Sequence, residues 1–204
     1  MSPGSHHPLP GGRDPERLFE RALEAWDGAG DAWVFGYASL IWRPEFESCE
    51  DRPATVYGWH RALAMRSRIN RGTPECPGLV FALVAGGSCR GRAYRIERDR
   101  VKPELRRLWS REMPTGVYDP KWLECRTPLG AVKALAFTLS RRSPSHTGAL
   151  PESQMLDILR TANGRYGSTL AYLVETAVSL RNCGIRDRDI ERLIALARRH
   201  ALTA

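Results

Sequence analysis

The periodicity of apolar residues changes once along this chain, and that change limits its fold more than any other feature. From Pro151 onward the pattern is purely helical. Leu156, Leu159 and Ala162 mark one helix, and Leu170, Leu173, Val174, Ala177 and Leu180 mark a second that starts near Ser168 and stops at Gly184. Ile190, Leu193, Ile194 and Ala197 mark a third, capped by Asp187. Before Pro151 the chain reads mainly as strands. Strands gathered first and helices later, with one helix inserted among the strands, argue for an α+β fold built on a barrel or curled sheet.

The strand region begins with Trp33-Val34-Phe35-Gly36-Tyr37-Ala38-Ser39-Leu40-Ile41-Trp42, an apolar strand that runs into small residues. A polar connection, Arg43 to Pro53, follows. Ala54 to Ser67 reads as a strand with a bulge at Gly58, and Leu79 to Val84 as a strand buried on both faces. Arg90 to Ile96 alternates polar and apolar residues. Between Ser67 and Leu79 lies a loop of turn formers and cations. Pro103 is read as opening the inserted helix, and Trp122–Thr127 and Ala131–Leu139 as two further strands. Ahead of all these, Asp14 and Pro15 open a helix that Gly28 and Gly30 stop. Residues 1–30 are therefore expected to form a tail and an appended helix, and residues 31–204 one domain.

Composition excludes several functions. With 204 residues and 42% hydrophobic side chains the chain can bury a real core. No run reaches the roughly 18 apolar residues of a membrane span, and Met1 to Gly12 lacks the apolar region of a secretory signal. The net charge of +8 comes mostly from arginines dispersed along the chain, not massed as in a nucleic-acid-binding segment. Five cysteines without a C-x-x-C pair, and five histidines without metal-ligand spacing, call for neither disulfides nor a metal. They fit a reducing cytoplasm.

Two stretches carry candidate chemistry. In the first, Gly36, Ala38 and Ser39 leave so little bulk that backbone N–H groups can approach an anionic group closely. In the second, the stripe Leu105, Leu108, Trp109 of the inserted helix continues, seven residues after Leu105, with Glu112. A carboxylate on an apolar stripe faces the core or a cleft, where burial raises its pKa toward that of a general base. The alternative is that the helix stops at Ser110 or Arg111, ahead of Pro114, and leaves Glu112 in solvent.

These stretches belong to a longer resemblance. Phe35 to Trp42 resembles the signature loop of the ChaC family of γ-glutamylcyclotransferases. Arg71-Gly72-Thr73-Pro74 with Pro77-Gly78-Leu79, then Gly87 to Ile96, resembles the family's next segment. Arg111-Glu112-Met113 with Gly116-Val117-Tyr118 resembles its catalytic segment, and Leu180 to Asp187 its C-terminal end. The resemblance runs in order from about Trp33 to about His200. It departs at Ala38, where the family usually has Gly. If that position requires a positive φ, Ala costs on the order of 1–2 kcal/mol; if φ is negative, it changes little.

The resemblance implies a small mixed β-barrel with an inserted catalytic helix and C-terminal helices. It implies conversion of glutathione to 5-oxoproline and cysteinylglycine with no cofactor and no metal. Glu112 falls on the family's catalytic glutamate, and Tyr37, Ala38, Ser39 and Leu40 on the loop whose backbone holds the γ-glutamyl group. Tyr172 resembles a tyrosine that reaches the substrate from a C-terminal helix. Tyr118 either lines the cleft or packs in a turn. Arg68 and Arg71 either meet the glycine carboxylate of glutathione or lie solvated in their loop. The expected partner is the small molecule alone, met by a cytoplasmic monomer, without nucleic acid or membrane. A non-catalytic module that binds γ-glutamyl compounds is the alternative reading.

Overall fold

The computed structural model describes residues 13–202. The predicted tail, Met1 to Gly12, lies outside those residues. In chain order the elements are α1 (Pro15–Trp26), β1 (Ala32–Gly36), α2 (Ser39–Trp42), β2 (Glu50–Ser67), β3 (Gly78–Ile96), α3 (Arg98–Glu112), β4 (Asp119–Thr127), β5 (Gly130–Thr138), α4 (Glu152–Thr161), the two-residue strands β6 (Asn163–Gly164) and β7 (Gly167–Ser168), α5 (Thr169–Asn182) and α6 (Arg188–Arg199). Five strands close a barrel in the order β1-β3-β2-β4-β5, sealed by parallel pairing of β1 with β5. The other neighbours around the ring are antiparallel, so the barrel is mixed as expected.

The long β2–β3 hairpin supplies most of the wall. Its register shifts between Tyr57 and Trp59, where Gly58 takes φ +79°, a left-handed conformation that glycine adopts without a Cβ clash. This is the bulge predicted from sequence. Two expectations are corrected in the same hairpin. Leu79–Val84 and Arg90–Ile96 are not separate strands; both belong to β3, which pairs with β2 on either side of Gly86 and Gly87, where the register shifts opposite Gly58. Strand β2 also starts at Glu50, ahead of Pro53. Proline is tolerated there because β2 meets β4 only at Thr55 and Val56, so at Pro53 one edge of the strand needs no donor.

The inserted helix begins at Arg98, five residues before Pro103, which sits inside it. Asp31, in the turn before β1, accepts the Arg98 N–H at 2.9 Å and thereby caps the helix from a distant part of the chain. No local signal could report that cap.

Apolar side chains form two clusters on opposite sides of the barrel wall. One joins the barrel interior to α4, α5 and α6. The other joins the wall to α1 and α3. Helix α1, capped by Asp14 as predicted, buries Phe19 to 1% exposure edge-on against Trp109 of α3. Indole N–H groups tie it down further: Trp109 donates to Pro15 O at 2.8 Å and Trp122 to Ala22 O at 3.1 Å.

Candidate active site

Strand β1 delivers Phe35 and Gly36 to one end of the barrel, and the chain then turns through Tyr37 and Ala38 into α2. Gly36 is required by close approach: a Cβ there would lie 2.8 Å from the Tyr94 ring. Ala38 adopts φ −143°, so the position makes no demand for glycine, and alanine costs the loop little. Within this turn the N–H groups of Ala38, Ser39 and Leu40 find no acceptor among the described residues.

Helix α3 continues to Glu112, its last residue, and the Glu112 side chain is only 15% exposed. The alternative of an earlier helix end with a solvated carboxylate is thereby excluded. Glu112 shares a cleft of about 280 Å3, open mouth included, with Tyr37, Ala38, Ser39, Leu40, Phe81, Tyr118, Phe137 and Tyr172. Burial raises its pKa above the ordinary carboxylate range. The Arg111 guanidinium, 3.1 Å away, opposes that shift, and Glu45 adds to it. A buried carboxyl that holds its proton more tightly than usual is suited to exchange one with an amine.

Three phenols surround the carboxylate. Tyr37 donates to Phe137 O at 2.9 Å, Tyr118 donates to Phe81 O at 3.5 Å, and Tyr172 accepts the Phe81 N–H at 3.3 Å. Burial is the main cause that pushes all three hydroxyls up in pKa, and the nearby Glu112 carboxylate pushes them further. They therefore stay neutral at physiological pH and serve as hydrogen-bonding groups, not as bases.

Among the residues singled out from sequence, Tyr37, Ala38, Ser39, Leu40, Glu112, Tyr118 and Tyr172 meet in this one cleft. Arg71 stands behind it. Its guanidinium stacks on the Tyr172 ring at 5.0 Å from the centroid and donates to Tyr166 O, and the residue is 7% exposed. Desolvation lowers its pKa. Arg68 is exposed in the loop after β2 and does not line the cleft. Sequence reasoning missed Phe81 and Phe137, since an aromatic in an apolar strand carries no mark of lining a cleft. Arg111 was named only as part of a motif, yet it joins Glu112 to Glu45, 3.1 Å from its other side, and to Arg43 O. Among the described residues no group of three or more His, Cys, Asp or Glu side chains is close enough to hold a metal ion.

The barrel sets a buried carboxyl, Glu112, and unpartnered backbone amides in one cleft, and comparison with known proteins gives the family. Residues 32–200 match the ChaC-like protein family. A glutathione-specific γ-glutamylcyclotransferase of Escherichia coli is 35% identical over 166 residues, covering 81% of this chain and 72% of the relative. The human glutathione-specific γ-glutamylcyclotransferase 1 is 31% identical over 200 residues, covering 95% and 86%. The crystal structure of a yeast γ-glutamyl cyclotransferase specific to glutathione superimposes with a TM-score of 0.75, at 18% identity, over 83% of this chain and 96% of that one. That likeness concerns the fold. The chain belongs to the ChaC-like family.

Proposed function

We propose that this protein is a γ-glutamylcyclotransferase that acts on glutathione. The observation that carries the proposal is the placement of Glu112, buried with a raised pKa, in the same cleft as the unpartnered amides of Ala38, Ser39 and Leu40. The relatives' specificity for glutathione supports the choice of substrate.

The reaction is an internal acyl transfer. The α-amine nitrogen of the γ-glutamyl group attacks its own γ-carbonyl carbon and forms the lactam C–N bond. The bond to the cysteine nitrogen breaks, giving 5-oxoproline and cysteinylglycine. An α-amine with a pKa of about 8 is mostly protonated at neutral pH, so a base must first take a proton. Glu112 takes it and returns one to the departing nitrogen. The loop amides hold the α-carboxylate or the oxyanion that forms on the γ-carbonyl, and Tyr37, Tyr118 and Tyr172 shape the cleft so that the flexible chain is held in its cyclising conformer. No protein nucleophile is involved. Arg71, stacked on Tyr172, and the exposed Arg68 are assigned to the glycine carboxylate.

The five cysteines are all free, which suits a cytoplasmic protein. Among the described residues no helix is long and apolar enough to cross a membrane. The test is chromatographic detection of free 5-oxoproline from purified protein with glutathione, with γ-glutamyl-lysine alongside. Release from glutathione in preference to γ-glutamyl-lysine is expected. Tight binding of glutathione with no 5-oxoproline formed would favour the binding module instead.

A further inference from the structure

Arg61 lies at the heart of the molecule and outside the cleft. It sits on β2, its side chain is 1% exposed, and each of its three guanidinium nitrogens donates a hydrogen bond. Nε donates to Tyr37 O. One terminal nitrogen donates to Asp187 at 2.7 Å, and the other to Arg90 O and, at 3.5 Å, to Cys89 Sγ. Asp187 in turn is the N-cap of α6, where its carboxylate accepts the N–H groups of Asp189 and Ile190. One side chain thus ties the substrate loop to β3 and to the start of the last helix.

The consequence lies in the peptide that joins Tyr37 to Ala38. It is trans, so its C=O and N–H point in opposite directions. With the carbonyl drawn toward Arg61, behind the cleft, the Ala38 N–H is turned away from Arg61, and Ala38 itself lines the cleft. That N–H has no acceptor among the described residues. A charged donor on the carbonyl also polarises the peptide and makes the N–H at its other end a stronger donor. An exposed salt bridge would not hold such a geometry; one buried on the arginine side, with all three guanidinium nitrogens bonded, does.

We infer that Arg61, braced by Asp187, is a positioning residue that sets the Tyr37–Ala38 peptide so that the Ala38 N–H serves as the anion-binding donor of the site. The inference rests on the proposed cyclotransferase reading for the identity of the anion, but the orientation itself is independent of turnover. Arg61 touches no substrate; it acts through the Tyr37 carbonyl. It also explains part of what the C-terminal segment Leu180 to Asp187 contributes, since its Asp187 pairs with Arg61.

The test uses the full-length protein and three variants. Arg61→Lys keeps the charge but cannot serve three acceptors. Asp187→Ser keeps a side-chain cap for α6 but releases Arg61. Asp187→Asn keeps both the cap and one acceptor for Arg61. Kinetics of 5-oxoproline release are read together with the backbone amide resonance of Ala38 during titration with 5-oxoproline, a probe that carries both a carboxylate and a lactam carbonyl. In the wild type the Ala38 amide should shift downfield as the probe binds. In Arg61→Lys and Asp187→Ser that shift should be lost and kcat/KM should fall about 10- to 100-fold, as for a displaced catalytic group, with the acid limb of the pH profile unmoved. Asp187→Asn should retain most of both signals. Should Arg61→Lys not fold, Asp187→Ser decides. An unaltered Ala38 shift and kcat/KM within about twofold of wild type in a folded variant would overturn the inference. A wild type that shifts Ala38 but releases no 5-oxoproline would instead defeat the cyclotransferase reading and leave the positioning role standing.

Discussion

At the residue scale the proposed chemistry centres on Glu112. Replacing it with Gln keeps shape and hydrogen-bonding capacity but removes basicity, so turnover should fall about 10²–10⁴-fold while glutathione still binds. In the wild type kcat/KM should rise with pH as Glu112 loses its proton, from above the ordinary glutamate value of 4.5; the Gln variant should lack that limb. The same raised pKa has a consequence for stability. Because the folded carboxyl holds its proton more tightly than the unfolded one, the folded state binds more protons between the two pKa values. Stability therefore declines as pH climbs through that window. Thermal melts should show Glu112→Gln above wild type at neutral pH, with the gap closing below the ordinary glutamate range. A Gln variant less stable than wild type at neutral pH would mean that the pairing with Arg111 outweighs burial. The arginines divide differently. Arg71→Ala should raise KM for glutathione about five- to a hundredfold and Arg68→Ala less, since only Arg71 is buried against Tyr172. Steady-state kinetics of the two single variants would show the order reversed if the exposed residue makes the contact.

At the scale of elements, the barrel brings its strands so close that side chains are excluded at defined points. A Cβ at Gly91 would lie 2.3 Å from Gly36 O and 2.9 Å from the Phe35 ring, so β3 and the end of β1 can approach only without it. Gly91→Ala should therefore cost about 1–3 kcal/mol in urea unfolding, the usual range for forced overpacking. Because the carbonyl it strikes leads straight into Tyr37, turnover should fall as well. Unchanged unfolding midpoints would show that the wall has slack there. The three boundaries that differ from the sequence reading share one cause: each is set by a remote partner. The Arg98 cap comes from Asp31, and the early start of β2 and the length of β3 come from their ladder with each other, on both sides of the shift at Gly86 and Gly87. Elements that carry their own caps were legible. Asp14 for α1, Ser168 for α5 and Asp187 for α6 are each followed by a helix where expected.

For the whole molecule, α1 matters more than its place ahead of the matching region implies. Phe19 and Trp109 pack edge to face, and Trp109 in turn packs edge to face against Phe137, whose carbonyl accepts the Tyr37 hydroxyl. The apolar face of α1 therefore covers the outer side of the helix that carries Glu112. Phe19→Ala should lower stability by about 3–5 kcal/mol, typical of a buried aromatic truncated to Ala, with a matching fall in the thermal midpoint. A loss below about 1 kcal/mol would return α1 to the status of an appendage.

The sequence by itself determined the class of the fold, the caps of α1, α5 and α6, the bulge at Gly58 and the two stretches that meet in the cleft. Each of these rests on local physics: side-chain periodicity, backbone freedom at small residues, or a carboxylate out of place on an apolar stripe. Only the tertiary structure decided that Glu112 is enclosed, that Phe81 and Phe137 floor the cleft, that Arg71 backs Tyr172 and that Arg61 holds the Tyr37 carbonyl. Those are contacts between residues 24 to 126 positions apart or more loosely scattered still along the chain, created by barrel closure. No spacing along a strand or helix encodes which way a barrel turns a side chain, or what it meets on the far wall.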